Sequence, residues 1–447
     1  MQRKLKSFYI RTYGCQMNEL DSELMIGQLE KRGLTRANDE ADADLLIFNT
    51  CSIRDLAERK VMGKIGKLAS LGKIQQKRAV IGVTGCMANA KKETLFRKLP
   101  HVDFVLGTNN IGDLNQVLDE VIDTGKQAIR TDDQFEENLD YLAAKREDPV
   151  KAFVSIIRGC DKFCTYCVVP YTRGQEVSRP PESILEECRH LVASGYKEIT
   201  LLGQNVNSYG KDKPEWNCLF HDLLYKIDQI PGVGRVRFMT SHPVDITREL
   251  MEAIRDLPSL CEFVHFPLQA GSNRILKKMH RIYTVEQYLE KVEMLRSIVP
   301  NVALGTDIIV GFPTETDEDF EETYRLLKEI EYSVAFLFAY SPRKGTPAMR
   351  WQDDIPEEVK QERLQRLLAL YAETTSKSFQ NMLGQEVEVL VERKNRGDER
   401  LKGRTRCWKN VIFSGDENLV GSFQKVQVHS FSNQTLLGEL QTSLRIV

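Results

Sequence analysis

Three cysteines stand close together near the middle of the chain, in the stretch Arg158-Gly-Cys-Asp-Lys-Phe-Cys-Thr-Tyr-Cys167. They are Cys160, Cys164 and Cys167, in a C-x3-C-x2-C array. Thiolates at such spacings hold iron–sulfur clusters, usually with four cysteines. A cluster with three would leave one iron open to a non-protein ligand, and an open position is typical of catalytic metal sites. The alternative is a structural zinc site that borrows a histidine or a distant cysteine as its fourth ligand.

Three further cysteines follow predicted strands in the first third of the chain. Cys15, Cys51 and Cys86 come directly after apolar stretches at 6–13, 43–50 and 79–85, each followed by a helical pattern. Alternation of strands and helices predicts a doubly wound parallel sheet, with its ligand crevice beyond the carboxyl ends of the strands. The three thiols are therefore predicted to converge on a second metal site. Singly, each cysteine could instead be a small buried hydrophobe.

From residue 152 the alternation restarts with longer units. The candidate strands are 152–157, 198–202, 235–239, 263–268, 303–310 and 334–339. Six strand–helix units predict a partial barrel rather than a closed eight-fold one.

Polar residues follow or lie on these strands, at one predicted face of the barrel. The candidates for binding a nucleoside-type cofactor are Gln204, Asn205, Gln269 and Asp307, with Arg173 as an anion contact. Each could instead be a cap or turn residue. His242 and His265 are predicted to be hydrogen-bonded core residues. Cysteines without a partner at metal-ligand spacing are predicted to be structural: Cys188, Cys218, Cys261 and Cys407.

The last quarter of the chain changes character. A charged amphipathic helix is predicted over 357–382, and short period-two runs after Gly384 predict a small all-β barrel. Between 393 and 409, eight basic residues stand against two acidic ones. A basic patch with an aromatic side chain fits RNA binding, although a solvated hairpin would look similar. The candidate RNA-binding residues are Arg393, Lys394, Arg404, Arg406, Trp408 and Lys409.

The bulk composition sets further bounds. The 447 residues are 41% hydrophobic and 28% charged, with a formal net charge of -2. No global basic field is present, so any nucleic-acid site must be a local patch. Neither a signal peptide nor a bilayer-spanning run is recognised, and the ten cysteines are expected to be reduced in the cytoplasm. An acidic and polar stretch, 131–149, is the predicted linker between domains 1–130 and 150–382, with 383–447 as the third domain.

These stretches resemble the radical S-adenosylmethionine (SAM) methylthiotransferases over essentially the whole chain. The C-x3-C-x2-C loop with Tyr166 resembles the radical-SAM signature. The motifs that resemble the auxiliary-cluster motifs are Gly14-Cys-Gln-Met-Asn18, Asn49-Thr-Cys-Ser52 and Thr84-Gly-Cys-Met87. The resemblance implies an α/β protein with an N-terminal methylthiotransferase domain, a central radical-SAM partial (βα)6 barrel and a C-terminal TRAM barrel.

The resemblance also implies a reaction. Two [4Fe-4S] clusters would be held by Cys160, Cys164 and Cys167 and by Cys15, Cys51 and Cys86. With SAM and a one-electron donor of flavodoxin or ferredoxin type, a monomeric enzyme would methylthiolate a carbon of its substrate. Tyr13-Gly-Cys-Gln-Met-Asn18 and Tyr171-Thr-Arg-Gly174 resemble the branch that acts on carbon 2 of N6-isopentenyladenosine-37 in the tRNA anticodon stem-loop.

Three alternatives stand beside this interpretation. A related enzyme could act on a ribosomal-protein aspartate or on threonylcarbamoyladenosine in tRNA. A protein of another class, a non-enzymatic RNA-binding protein with structural zinc, could show the same cysteines. The chain also has Leu202-Gly-Gln-Asn-Val206 where many radical-SAM enzymes have Gly-Gly-Glu, so the SAM amino-group contact is assigned to Gln204 by position alone.

Overall fold

The structure is a computed structural model that describes residues 5–52, 55–70, 79–132 and 139–441. Residues 133–138 of the predicted linker lie outside the described residues. So do the first four residues of the predicted N-terminal domain and the last six of the C-terminal domain.

The N-terminal domain is a six-stranded parallel sheet with helices on both faces. Its strands are β1 (Ser7–Tyr13), β2 (Thr35–Arg36), β3 (Leu45–Thr50), β4 (Val80–Thr84), β5 (Phe104–Leu106) and β6 (Ala128–Arg130), in the order β2-β1-β3-β4-β5-β6. Its helices are α1 (Gln16–Lys31), α2 (Asp55–Ser70), α3 (Cys86–Lys91), α4 (Thr94–Lys98) and α5 (Leu114–Thr124). Helices α1 and α5 pack on one face, and α2 to α4 pack on the other. The predicted doubly wound sheet is confirmed.

The central domain contains eight strands. They are β7 (Lys151–Ser155), β8 (Ile157–Arg158), β9 (Val177–Ser178), β10 (Glu198–Leu202), β11 (Arg235–Phe238), β12 (Phe263–His265), β13 (Ala303–Val310) and β14 (Val334–Ala339). Of these, six form two parallel groups of three and two, β8 and β9, form a separate ribbon. The groups are β11-β10-β7 and β12-β13-β14, joined by one bridge between Val236 and Leu260. This is the predicted partial barrel.

Helices cover the outside of this barrel. They are α7 (Pro181–Ala193), α8 (Phe220–Asp228), α9 (Arg248–Asp256), α10 (Asn273–Lys278), α11 (Val285–Ile298), α12 (Asp317–Ile330) and α13 (Glu357–Gln380). The short helix α6 (Val169–Arg173) follows the cysteine loop and packs against α3 of the N-terminal domain. The predicted strand over 152–157 is interrupted at Ile156. After it, β8 pairs antiparallel with β9, so the cysteine loop begins and ends on a two-stranded ribbon.

The C-terminal domain is a closed five-stranded barrel, as predicted. Its strands are β15 (Glu386–Lys394), β16 (Leu401–Thr405), β17 (Asn410–Ser414), β18 (Phe423–Ser432) and β19 (Thr435–Leu440), in the order β15-β16-β17-β19-β18. Strand β16 escapes prediction because two of its five residues are basic. Leu401, Gly403 and Thr405 nevertheless alternate inward and are buried.

All three domains meet in one apolar cluster, which we call the three-domain cluster. Its residues are Met17 from α1, the barrel residues Phe153, Leu202, Met239, Phe263, Ala303 and Val334, Cys15 from the N-terminal domain, and Cys407 and Trp408 from the C-terminal barrel. Among the described residues, no helix has both the length and the apolar character needed to cross a bilayer.

Candidate active site

The C-x3-C-x2-C loop is held in place from several directions. Gly159, before Cys160, has φ +77°, and a Cβ there would lie 1.8 Å from the Gln175 carbonyl oxygen, so glycine is required. The Gly159 N–H donates to Oε1 of Gln204 at 2.6 Å. The Thr165 N–H and hydroxyl donate to carbonyls of Met279 and Lys278 beside α10. The loop is thus tied to other barrel segments before any ligand binds.

The three thiols of this loop differ in their neighbours. Arg281 Nη1 donates to Sγ of Cys164 at 3.3 Å, and the Val169 N–H donates to Sγ of Cys167 at 3.4 Å. Burial raises the pKa of Cys160 and of Cys167 to about 12. These thiols would stay protonated unless a metal replaced the protons. Hydrogen bonds to sulfur also tune iron–sulfur clusters, so the donors fit such a group.

The structure brings Cys15, Cys51 and Cys86 together at the carboxyl ends of β1, β3 and β4. The Cys51 thiol is in hydrogen-bond contact with both of the others. That contact, together with the charge of Arg173, lowers the pKa of Cys15 to about 5 and of Cys86 to about 7, while the pKa of Cys51 is raised. The positive charge of Arg173 stabilises thiolates at this site, and thiolates are soft metal ligands.

The chemistry of this ligand set fits an iron–sulfur cluster. Across the described residues, no group of three or more His, Cys, Asp or Glu side chains is arranged to hold a metal ion. In an iron–sulfur cluster each thiolate binds its own iron and sulfides bridge the irons, so the thiolates need not point to one centre. Thr50 and Thr84, which end β3 and β4, also keep buried hydroxyls without hydrogen-bond partners in the described chain. Such orphaned groups beside the thiols are consistent with space for a larger group.

A buried ion-pair triad joins the N-terminal domain to the cysteine loop. Asp21 on α1 accepts from Arg158 Nη2 and from Arg173 Nη2, both at 3.1 Å, and all three side chains are buried. Sequence reasoning missed Asp21. The available signal was a carboxylate inside a helical stretch whose neighbours Leu20, Leu24 and Met25 are apolar.

Two predicted cofactor contacts lie elsewhere in the structure. Arg173 contacts Cys86 and Asp21, so it belongs to the N-terminal cysteine site. Asn205 donates to Asp245 at 2.7 Å and accepts from the His242 N–H at 3.1 Å, so it braces the loop after β11. Their partners come from distant segments, which spacing alone does not reveal.

The other predicted polar residues follow or lie on strands of the barrel. Gln204 supports the cysteine loop, as described above. Gln269 adopts φ +71° and pairs through its backbone with residues Asp307 and Ile309 of β13. Asp307 keeps a third of its side chain exposed and lies 3.5 Å from Nε2 of His265.

Several buried polar atoms at the strand ends have no hydrogen-bond partner among the described residues. They are Ser241 Oγ, His242 Nε2, His265 Nδ1 and both amide atoms of Asn207. Both histidines are buried, as predicted, but each keeps one ring nitrogen without a partner among the described residues. Buried polar atoms are normally paired, so this face has the free donors and acceptors that a polar cofactor would use.

The predicted RNA-binding residues divide into two groups. Arg406 pairs with Glu262, Trp408 stacks on Phe263 with centroids 5.3 Å apart, and Lys409 Nζ donates to Ser378. These three residues hold the C-terminal barrel on the central domain. The Arg404 guanidinium lies 4.4 Å from the centre of the Trp408 ring and 3.6 Å from Glu392. Arg404 is therefore also engaged by side chains of the protein.

The remaining predicted pair faces outward. Arg393 is exposed, and Lys394 is half-buried and pairs with Glu399. Arg396 is exposed as well. The outward basic surface is thus the end of β15 and the turn that follows it.

Comparisons with known proteins agree with this architecture. Residues 7–107 match the uncharacterized protein family UPF0004, residues 154–327 the radical SAM superfamily, and residues 380–441 the TRAM domain.

Two curated relatives match almost end to end. A tRNA-2-methylthio-N(6)-dimethylallyladenosine synthase from Protochlamydia amoebophila is 78% identical over 442 residues, covering 99% of this chain and 98% of its own. One of the same name from Carboxydothermus hydrogenoformans is 48% identical over 429 residues, covering 95% and 96%.

A solved structure shares the fold. A radical S-adenosylmethionine methyltransferase from Kitasatospora setae, solved with tryptophan substrate and a SAM analogue, superposes with a TM-score of 0.55 at 13% identity. The alignment covers 74% of this chain and 72% of that one.

Proposed function

We propose a function from this premise: the chain belongs to the family of tRNA-2-methylthio-N(6)-dimethylallyladenosine synthases, which are radical SAM methylthiotransferases. The function is methylthiolation of carbon 2 of N6-isopentenyladenosine at position 37 of tRNA. In the product, a carbon–sulfur bond replaces the carbon–hydrogen bond at carbon 2. The observation that carries the proposal is that both three-cysteine sites adjoin one barrel.

The contact between the N-terminal site and the barrel is direct. Cys15 packs against the three-domain cluster, which also contains Leu202, Phe263 and Ala303 of the barrel. The other three-cysteine site lies on the loop that follows β8 of the same barrel. A substrate atom inside the barrel would therefore lie between the two sites.

We propose that Cys160, Cys164 and Cys167 hold one [4Fe-4S] cluster with SAM, and that Cys15, Cys51 and Cys86 hold the second. When bound, these groups would supply the one-electron chemistry, the hydrogen acceptor and the methylthio group. The chain's own residues bind and orient. Gln204 and Arg281 fix the cysteine loop, while the unpaired His242 and Asn207 face the place of the cofactor.

The remaining partners follow from this proposal. The exposed side chains of Arg393, at the end of β15, and Arg396, in the turn that follows, would contact the phosphates of the tRNA anticodon stem-loop. A flavodoxin- or ferredoxin-type donor would supply the electron. A cytoplasmic location and a monomeric state fit such an enzyme.

Iron analysis tests the two sites separately. After anaerobic reconstitution, the wild type is expected to bind about eight irons, and the triple alanine variants at either cysteine set about four. The control is Cys188→Ala with Cys261→Ala, which removes two buried cysteines outside both sites and should leave about eight. Stoichiometric zinc without iron would contradict the proposal and favour the RNA-binding zinc protein.

Product analysis tests the substrate. The reconstituted enzyme is incubated with SAM, a reductant and isopentenylated anticodon stem-loop, and the nucleosides are analysed by mass. The expected product is 2-methylthio-N6-isopentenyladenosine. Product from a ribosomal protein or from threonylcarbamoyladenosine tRNA, with none from isopentenylated RNA, would overturn the assignment.

A further inference from the structure

Two exposed phenylalanines stand on the last strand of the central barrel. Phe336 and Phe338 of β14 keep 41% and 42% of their surface exposed. The residues between and beside them, Ala335 and Leu337, pack against the apolar core under the helices. Side chains of a strand alternate between its two faces. The phenylalanines therefore point to the opposite face, the barrel interior.

The pairing of β14 with β13 supports this orientation. Phe336 is in register with Asp307, and Phe338 with Ile309. Val334, on the same face of β14, packs in the three-domain cluster with Cys15 and Phe263. The two rings thus lie on the same strand face as a residue of the cluster that Cys15 also joins.

The neighbours of Phe336 are polar. The His265 ring lies 6.1 Å from the Phe336 ring, and His265 Nε2 is 3.5 Å from Asp307. His265 is 5% exposed, and its Nδ1 has no hydrogen-bond partner within the described residues. An apolar surface beside an unpaired buried nitrogen is the composition of a ligand site, in which apolar groups give affinity and a few polar groups give orientation.

We propose that Phe336 and Phe338 bind the dimethylallyl group on N6 of the substrate adenosine and select prenylated RNA. This inference rests on the proposed function. The group is a branched five-carbon chain, and it is the only apolar part that distinguishes this substrate from an ordinary adenosine. A ring pair inside a barrel that also receives the adenine could desolvate that chain without touching the base.

The test is the binding of two anticodon stem-loops, one with isopentenyladenosine and one with adenosine at the same position. Anaerobically reconstituted wild type is expected to prefer the prenylated RNA by about tenfold or more, because even one methylene in an apolar pocket gives about tenfold selection. Phe336→Ala and Phe338→Ala should each reduce that ratio severalfold by weakening the prenylated RNA alone. Phe336→Leu should keep part of the preference.

A matched control and two further measurements accompany the ratio. Met294→Ala truncates a similarly exposed apolar side chain on the outer helix α11 and should leave the ratio unchanged. Affinity for SAM, and the cluster absorption of each variant, should match the wild type. These two measurements show that each variant is folded and contains its clusters.

The outcomes separate the two proposals. If wild type forms the methylthio product but the phenylalanine variants keep the full preference, the inference is overturned and the function stands. Equal weakening of both RNAs would assign the rings to base stacking, and weakened SAM binding would assign them to the cofactor; each overturns the inference. If wild type neither prefers nor modifies prenylated RNA, the proposed function fails and the inference with it.

Discussion

The surroundings of His242 determine both its hydrogen bonding and its protonation state. The ring is buried, accepts a hydrogen bond from the Val244 N–H at Nδ1, and leaves Nε2 unpaired in the described chain. Burial, together with the charge of the nearby Arg281, lowers its pKa to about 2. Asp245 opposes this shift, while Lys162 and Lys291 reinforce it. The ring is therefore neutral in the folded protein at any working pH.

A pH dependence of stability follows from this neutral ring. Its pKa is lower in the folded state than the ordinary value near 6.5, so between these values the unfolded chain binds the extra proton. Stability is thus present above pH 6.5 and is lost as the pH falls below it. From pH 7.5 to 5.5 this residue should contribute a loss of about 1.4 kcal/mol in the free energy of unfolding.

His242→Gln isolates that contribution, because glutamine keeps a hydrogen-bond acceptor but does not titrate. Urea titrations at the two pH values should show a smaller loss for this variant than for the wild type. His190→Gln, at a site on α7 outside the barrel interior, is the control and should lose stability as the wild type does. An equal loss in the His242 variant would contradict the neutral buried ring.

A candidate site can be recognised from the sequence where its residues are local. Cys160, Cys164 and Cys167 reveal themselves by spacing within one loop. Asn205 and Arg173 were assigned to the cofactor, but in the structure Asn205 donates to Asp245 and Arg173 donates to Asp21. Their roles depend on partners far away in the chain, and one sequence contains no record of which segments meet.

Helix α1 carries the clearest conflict between local pattern and tertiary role. It is buried along most of its length, including Asp21 and Glu23. Asp21 is the shared counter-ion of Arg158 and Arg173, and Glu23 pairs with Arg146 at 2.8 Å. A helix that buries carboxylates must meet cations from other segments, because an unpaired buried charge is costly. In this protein α1 fixes the N-terminal domain against the central barrel.

Asp21→Asn should therefore be strongly destabilising. The change leaves two buried guanidinium groups without their carboxylate, and breaking a buried pair costs about 3–5 kcal/mol. Urea unfolding measures the effect. Asp119→Asn breaks the surface pair with Arg32 and should cost less than about 1 kcal/mol. Equal small effects in the two variants would show that the triad does not hold the domains together.

Element prediction succeeded where apolar periodicity was strong. Strands β10, β13 and β14 were predicted with their observed bounds, because each is rich in apolar residues and belongs to a parallel sheet. The short edge strands β2 and β6 were missed, and so was β16. An edge or barrel-surface strand carries few apolar side chains, so its pairing comes from tertiary neighbours rather than from its own pattern.

At the scale of the whole molecule, the net charge of -2 hides an uneven distribution. Eight basic residues lie between 393 and 409, yet those after β16 begins are largely used to dock the C-terminal barrel. Arg406, which pairs with Glu262, and Lys409, which donates to Ser378, are the main examples. The sequence predicted the patch but not its division, since charge content does not reveal which side of a strand faces another domain.

The outward part of that patch should govern the salt dependence of RNA binding. Arg393→Ala with Arg396→Ala is expected to weaken tRNA binding and to lower the slope of log affinity against log salt by about one for each lost phosphate contact. Filter binding over a range of salt concentrations measures the slope. Lys377→Ala, on the exposed side of α13, is the control. An unchanged slope in the double variant would place the RNA elsewhere.

The attachment of the C-terminal barrel has an evolutionary consequence. Arg235 Nη1 donates to the Arg404 carbonyl at 2.7 Å, and Arg237 donates to the carbonyls of Thr405 and Arg406 at 2.7 and 2.6 Å. Carbonyl oxygens are present whatever side chain a residue carries. Sequence drift at 404 and 405 would thus leave these bonds intact, whereas replacing either central-domain arginine would break them. During evolution we therefore expect the residues at 404 and 405 of the C-terminal barrel to change more freely than Arg235 and Arg237 of the central domain.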